Sequence, residues 1–308
     1  MVLPSGRGGR WQVHLTNPDE PSSSPFPKVC SRSKLAPLRT RATVGCCLGA
    51  DGIWANRFMN NETSPVIVIV GGAGGIGSAV ARRLAARDCR IVLAGREPGR
   101  LQTVATETAA QAITCDARDS AAVDALMQSV VASHGRVDGV VNCAGSILIK
   151  PAHLISDQEF ADTLAINLTT AFNLLRAATR LMMRQAGGGS IVLCSSVAAR
   201  RGLVNHEAIA AAKAGVEGLA LAAAATYARQ GVRVNCVAPG LTRTDLTRAL
   251  TQNEVVAKTS AALHPLGRIG EPAEVASAIC WLLDREQSWV TGQVLSVDGG
   301  LGSVQARS

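Results

Sequence analysis

The first chemistry legible in this chain of 308 residues lies in one short stretch, Gly71-Gly72-Ala73-Gly74-Gly75-Ile76-Gly77. Glycines leave room for a ligand to approach the backbone and adopt angles that other residues resist. The stretch follows five apolar, β-branched residues, Val66 to Val70, and precedes Ala79-Val80 and Leu84-Ala85 at helical spacing. A strand, a glycine turn and a helix N-terminus together form an anion site, because free N–H groups and the helix dipole both favour phosphate. Further along, Ala94-Gly95-Arg96 closes an apolar run where a dinucleotide site usually offers a carboxylate to the adenosine ribose. Gly95 removes that carboxylate. Arg96 presents a fork of donors suited to a 2′-phosphate, or else is an ordinary solvated arginine. Asp116, after the next apolar run, is placed either to accept the adenine amino group or to cap the following helix. Asn142-Cys143-Ala144-Gly145 ends another run with small residues that let a ligand come close.

These residues need a scaffold, and the apolar pattern supplies one. Short runs predict strands at 66–70, 90–94, 112–115, 137–142, 190–194, 232–237 and 293–297. Helical spacing predicts helices near 76–87, 98–109, 119–133, 157–185, 206–230 and 272–284. Seven strands alternating with helices predict a single doubly wound α/β domain of Rossmann type, a seven-stranded parallel sheet with helices on both faces. Ligands of such sheets bind beyond the carboxyl ends of the strands, where the residues above all fall.

Composition narrows the function classes. Hydrophobic residues make up 47% and charged residues 18%, enough for a large core, and with aromatics at 3% that core is aliphatic. The net charge is +8, but residues 1–60 hold eight basic and three acidic residues and so carry +5, leaving +3 for the rest. The body is not a basic surface aimed at nucleic acid. Cys115, Cys143, Cys194 and Cys236 lie in or beside apolar runs, and no C-x-x-C framework occurs, which predicts free thiols in a reducing compartment and no metal site. The alanine-rich segment 214–228 carries Glu217, and no membrane span is expected. Residues 1–62 are broken by six prolines and are Arg- and Ser-rich, which predicts a disordered leader of the plastid or mitochondrial transit type ahead of a 63–308 NAD(P)-binding domain.

Taken together, the motifs over about 65–300 resemble the short-chain dehydrogenase/reductase family. The family's Thr-Gly-x-x-x-Gly-Ile-Gly loop is matched by Val70, Gly71, Gly75, Ile76 and Gly77. Its Asn-Asn-Ala-Gly motif is matched by Asn142, Ala144 and Gly145, with Cys143 second. Pro239-Gly240 followed by Thr244 looks like the segment that holds the nicotinamide amide, and 290–300 is similar to the family's last strand. The resemblance implies a nicotinamide cofactor, for which Gly95 and Arg96 favour NADP(H) over NAD(H), and a catalytic group of Asn, Ser, Tyr and Lys. Asn167 takes the place of the Asn that holds a proton-relay water, Ser196 that of the hydroxyl binding the substrate oxygen, and Lys213 that of the ammonium binding the nicotinamide ribose. The phenol belongs four residues before the lysine. Ile209 stands there.

The sole tyrosine, Tyr227, lies fourteen residues past Lys213 and cannot substitute. At about 100° per residue, His206 falls about 20° and Ile209 about 40° from the helix face of Lys213. Enoyl-thioester reductases of the same superfamily carry their tyrosine seven residues before the lysine, the place His206 holds. His206 is thus either a replacement proton donor or a helix cap, and the two roles can coexist.

Two functions follow as expectations. The first is an oxidoreductase acting on a carbonyl, or by way of His206 on an enoyl double bond, with an apolar small-molecule substrate chosen by the region 243–266. The second is an NADP(H)-binding sensor or scaffold that has lost its acid. The small apolar face around 220–225 predicts a homodimer or homotetramer.

Overall fold

Val66-Ile67-Val68-Ile69-Val70 forms strand β1, and every one of its residues is buried. An unbroken β-branched run of this kind suits a strand covered on both faces. In this computed structural model, residues 64–305 are described, all within the compact unit Asn60–Ser308. The leader expected over 1–62 lies outside the described residues. The remaining strands are β2 (Arg90–Gly95), β3 (Gln111–Thr114), β4 (Gly139–Asn142), β5 (Gly189–Cys194), β6 (Val232–Pro239) and β7 (Val294–Val297). They form one parallel sheet in the order β3-β2-β1-β4-β5-β6-β7. β1 pairs with β2 on one side and β4 on the other, so the strand order reverses at β1. That reversal opens the crevice in which ligands of doubly wound sheets bind.

The helices are α1 (Gly75–Ala85), α2 (Pro98–Thr108), α3 (Ser120–His134), α4 (Asp157–Leu164), α5 (Thr170–Met182), α6 (Glu207–Tyr227), α7 (Arg248–Thr251), α8 (Glu254–Leu263) and α9 (Pro272–Leu283). One apolar layer joins the sheet to α3, α5 and α6 through Leu126, Leu174 and Val216. The other joins it to α1, α2 and α9 through Leu84, Leu101 and Ile279. Both layers are aliphatic, as the scarcity of aromatics requires.

The structure corrects one expectation and adds to the sequence reading at two further points. The helix expected over 157–185 is two α-helices around a π-helical turn, Ala165–Thr169, whose extra residue shifts the face presented by the chain. Such insertions are invisible to hydrophobic spacing and are frequent at functional positions. The region after Leu241 contains α7 and α8, short helices that bury none of their residues and so show no strong apolar stripe. Finally, Glu207–Gln230 is long and apolar enough to cross a membrane by length and composition, because alanine raises its mean hydropathy to 1.5. Here its Val216, Ala220, Ala223 and Ala224 face is buried against the sheet layer, the position of a core helix.

Candidate active site

The glycine turn packs so closely on its neighbours that side chains cannot fit there. Gly71 has φ +76°, and a Cβ on it would stand 2.6 Å from the Ala144 nitrogen. A Cβ on Gly77 would stand 2.3 Å from the Gly71 oxygen, and one on Gly75 would stand 2.6 Å from Cγ2 of Thr244. The turn is held down by the Gly71 and Gly72 N–H groups donating to the Ala94 carbonyl at 2.8 and 3.2 Å. α3, by contrast, has its first turn capped by Asp119, and α4 has a Ser156–Glu159 capping box, whereas Gly74 offers α1 no side-chain cap. The first N–H groups of α1 therefore face the groove without an intrahelical partner. The groove has a volume of about 380 Å³ and is lined by Ile76, Arg96, Asp116, Ala144, Gly145 and Thr244, among others.

At the end of the groove beside β2, Arg96 is exposed and makes no ion pair among the described residues. Asp116 is bound by the Arg118 guanidinium at 2.6–3.1 Å, which holds its carboxyl below the usual carboxylate range. It does not cap α3, since that role belongs to Asp119 three residues on. Asn142 is 3% exposed, and its side chain turns inward: Oδ1 accepts from Ala144 N at 3.1 Å and Nδ2 donates to Thr170 Oγ1 at 3.2 Å. It shapes the Ala144-Gly145 bend and has no free polar atom aimed into the groove.

The π-helical turn explains Asn167. The extra residue swings its side chain over the end of β4, where Oδ1 accepts from Ser146 N at 3.1 Å and Nδ2 donates to Ser146 Oγ and the Thr163 carbonyl at 3.0 Å each. Gly145 lies between Asn167 and Lys213: a Cβ there would stand 3.0 Å from Oδ1 of Asn167 and 3.6 Å from Nζ of Lys213. Lys213 is buried, its Nζ donates to the Cys194 carbonyl at 2.8 Å, and burial pulls its ammonium below the ordinary lysine value. Two residues beyond that carbonyl stands Ser196, half-buried, its Oγ accepting from Ala198 N at 3.2 Å.

Sequence reasoning missed the support beneath that serine. Ser195 Oγ donates to Glu217 Oε1 at 2.8 Å, and Arg200 Nε donates to Glu217 Oε2 at 2.6 Å. Glu217, one helical turn past Lys213 on α6, thus ties both ends of the Ser196 segment to the helix that carries the lysine. The only sequence signal was a carboxylate in an otherwise apolar helix.

Ile209 is 4% exposed and shares the buried face of α6 with Ala212, Lys213 and Val216. Tyr227 lies in the core layer at the far end of that helix, about 21 Å along its axis from Lys213. His206 takes the N-cap backbone position and its carbonyl accepts from Ala210 N at 2.7 Å, but its ring makes no cap bond. Instead Nδ1 lies 2.7 Å from the Val204 carbonyl, which leaves Nε2 available. Pro239 ends β6, and neither it nor Gly240 lines the groove: Gly240 opens onto a separate cavity shared with His264, whose Nε2 a Cβ on Gly240 would meet at 2.7 Å. Thr244 caps the short turn that follows.

With this geometry in view, residues 71–302 match the family model described as Enoyl-(Acyl carrier protein) reductase. Carbonyl reductase family member 4 of Xenopus laevis is 34% identical over 241 residues, covering 77% of this chain and 98% of that protein. The chain belongs to the short-chain dehydrogenase/reductase family. It is an oxidoreductase of the short-chain type. The 3-oxoacyl-acyl-carrier-protein reductase FabG of Escherichia coli is 31% identical over 246 residues, 78% of this chain and 98% of its own. Among solved structures, a single-residue variant of actinorhodin polyketide ketoreductase with NADPH aligns with a TM-score of 0.74 at 31% identity, covering 78% of this chain and 98% of that one. Levodione reductase aligns with a TM-score of 0.75 at 31% identity, over 79% and 99%. For a short-chain dehydrogenase/reductase, the glycine cradle and the Asn167–Gly145–Lys213 cluster sit at the carboxyl ends of β1, β4 and β5, where a nicotinamide nucleotide would be held.

Proposed function

We propose that the chain transfers hydride between NADP(H) and a carbonyl of ketone, aldehyde or 3-oxoacyl type. The observation that carries this reading is the anchoring of the buried Lys213 ammonium on the carbonyl two residues before Ser196, with Asn167 converging on Gly145 beside it. The preference for NADP(H) rests on Arg96, exposed in the groove wall where a carboxylate would repel a 2′-phosphate. The solved ketoreductase relative with NADPH and the 3-oxoacyl reductase relative support the same choice.

When bound, the nicotinamide supplies or accepts the hydride. The residues do the rest. The glycine cradle and the start of α1 hold the phosphates; Lys213 holds the ribose; Ser196 donates to the substrate oxygen as negative charge gathers on it. Placing the reacting carbon against the cofactor itself contributes much of the rate. Ile209 has no proton to give, so the proton comes from a water held by Asn167 or from His206. With Nδ1–H donating to Val204, a neutral His206 presents Nε2 as an acceptor, and only the protonated ring donates there.

A second reading has its own support. His206 lies seven residues before Lys213, and the matched family description is that of an enoyl reductase. In that reaction Ser196, together with His206 when its ring is protonated, stabilises an enolate oxygen. A panel assay separates the readings, with NADPH or NADH against 3-oxoacyl and enoyl thioesters. NADPH oxidation on 3-oxoacyl thioesters is the expected result, and turnover of enoyl thioesters alone transfers the assignment to the second reading. Nucleotide binding with no turnover on any carbonyl or enoyl substrate would leave a sensor or scaffold. We also infer a homodimer or homotetramer and an apolar substrate, from the apolar residues that α6 and α8 leave exposed.

A further inference from the structure

Two thiols that no step of the proposed reaction uses lie side by side at the carboxyl ends of β4 and β5, where Cys143 lines the nucleotide groove. Cys143 follows the last residue of β4, and Cys194 is the last residue of β5. The strands pair with Asn142 opposite Leu193, so one residue further on the two cysteines face each other and project to the same side. Their Sγ atoms are 3.7 Å apart. Neighbouring strands run about 4.8 Å apart, inside the Cα separation of roughly 4.4–6.8 Å that disulfides span, so bridging needs little backbone movement. Both side chains pack against the apolar layer that holds α1 and α9. Each thiol has the other as its hydrogen-bond partner, which holds the Cys143 proton more tightly and eases the loss of the one on Cys194; the Lys213 ammonium favours the thiolate of both. The thiolate is the reactive form, and it is the carbonyl of Cys194 that holds the Lys213 ammonium.

We propose that Cys143 and Cys194 are an oxidative modification site, a dithiol that hydrogen peroxide closes to a disulfide and that thereby weakens nucleotide binding. The Cys194 sulfur attacks one peroxide oxygen; an S–O bond forms, the O–O bond breaks, and the departing hydroxide leaves as water with the proton shed by Cys194. The Cys143 sulfur then attacks the resulting sulfenic acid; the S–S bond forms, the S–O bond breaks, and the second water carries away the Cys143 proton. Two thiols lose two electrons and two protons, and one peroxide is reduced to two waters.

The consequence follows from what the two backbones touch. Closure draws the sulfurs from 3.7 Å to about 2.05 Å. The Cys143 carbonyl group and Ala144 N press on the Gly71 turn so closely that a Cβ at Gly71 would stand 2.6–2.9 Å from them. Cys143 N also donates to the Val70 carbonyl at 2.8 Å. On the other strand, the Cys194 carbonyl is the acceptor that holds Lys213, two residues before Ser196. Closure therefore pulls on the phosphate turn and on the ribose-binding lysine together. The binding consequence rests on the nucleotide reading proposed above.

The test uses the full chain. Protein is treated with hydrogen peroxide, remaining thiols are alkylated, and proteolytic peptides are mapped by mass spectrometry, while NADPH affinity is titrated before oxidation, after it, and after dithiothreitol. The expected result is a peptide pair joined through Cys143 and Cys194, with NADPH affinity at least about tenfold weaker after oxidation and restored by dithiothreitol, equivalent to about 1.4 kcal/mol. Cys143→Ser and Cys194→Ser, each compared with its own untreated sample, should lose the response. Peroxide treatment that oxidises other cysteines without joining this pair would overturn the proposal. So would a joined pair with unchanged affinity. If the reduced protein binds neither NADPH nor NADH, the nucleotide reading and the binding consequence fail together, and the peptide map still decides whether the site forms.

Discussion

At the position four residues before Lys213, the buried Ile209 side chain lies on the same helix face as the lysine. Replacing it by tyrosine restores a phenol beside a lysine that burial has already made less basic. Ile209→Tyr is expected to raise kcat on a 3-oxoacyl thioester by about 10²- to 10⁴-fold, the usual worth of a positioned general acid. An unchanged rate would mean that the proton already has an efficient route. His206→Ala separates those routes: a comparable fall in kcat with NADPH affinity intact assigns the proton to the imidazole, whereas an unchanged kcat assigns it to water at Asn167. The lysine adds a pH dependence. Because its folded value lies below that of an ordinary lysine, the ammonium is lost earlier as pH rises, and NADPH affinity should fall on the alkaline side before the ordinary lysine range. At this scale the sequence was legible where residue type alone decides, as with the glycines, Lys213 and the missing phenol. It was silent on pairings across the fold: Ser195 and Arg200 with Glu217, and Cys143 with Cys194, are set by strand register and helix packing.

The elements deliver these residues through backbone constraints that have no side chain to relax. A Cβ on Gly77 would meet the Gly71 carbonyl oxygen at 2.3 Å. Gly77→Ala should therefore displace the turn, with NADPH affinity reduced at least about tenfold; unaltered affinity would show that the turn does not seat the phosphates. Beneath the sheet, Asp138 fixes the entry of β1 and β4. Its carboxylate is 7% exposed on its side chain and accepts from Arg136 at 2.6–3.0 Å, from Arg285 at 2.8 Å and from Val66 N at 2.9 Å. Burial pushes its pKa up, but those bonds outweigh burial and hold it below the ordinary value. Its contribution to stability is complete above the unfolded carboxyl value of about 3.9 and is lost as pH falls through the lower folded value. Asp138→Asn is expected to cost roughly 1–3 kcal/mol near neutral pH. Thermal melts of the wild type should approach those of the variant on acidification below about pH 4, and a constant gap would contradict this. Hydrophobic period identified all seven strands. It ran through the π-helical turn at Ala165–Thr169 because an inserted residue changes phase without changing composition.

For the molecule as a whole, α4, α5 and α6 leave Phe160 (42% exposed), Phe172 (44%) and Leu221 (63%) facing outward in a single chain. The alanine-rich helix thus has two uses: Ala220, Ala223 and Ala224 are buried on the sheet layer, and Leu221, Ala222 and Ala225 point away from it. Light scattering after size-exclusion chromatography should give a dimer or tetramer mass, with Leu221→Glu shifting it towards the monomer. A monomeric wild type would contradict the assembly. The sequence indicated the small-residue helix but did not divide it into its two faces, which depend on the placement of the sheet. The most direct test of the account follows the hydride itself. Protein incubated with NADPH deuterated at the transferable C4 position and a short 3-oxoacyl thioester is expected to yield a hydroxyacyl product with one deuterium on the carbinol carbon. Full retention of the label in a bound but unconsumed nucleotide would contradict the account.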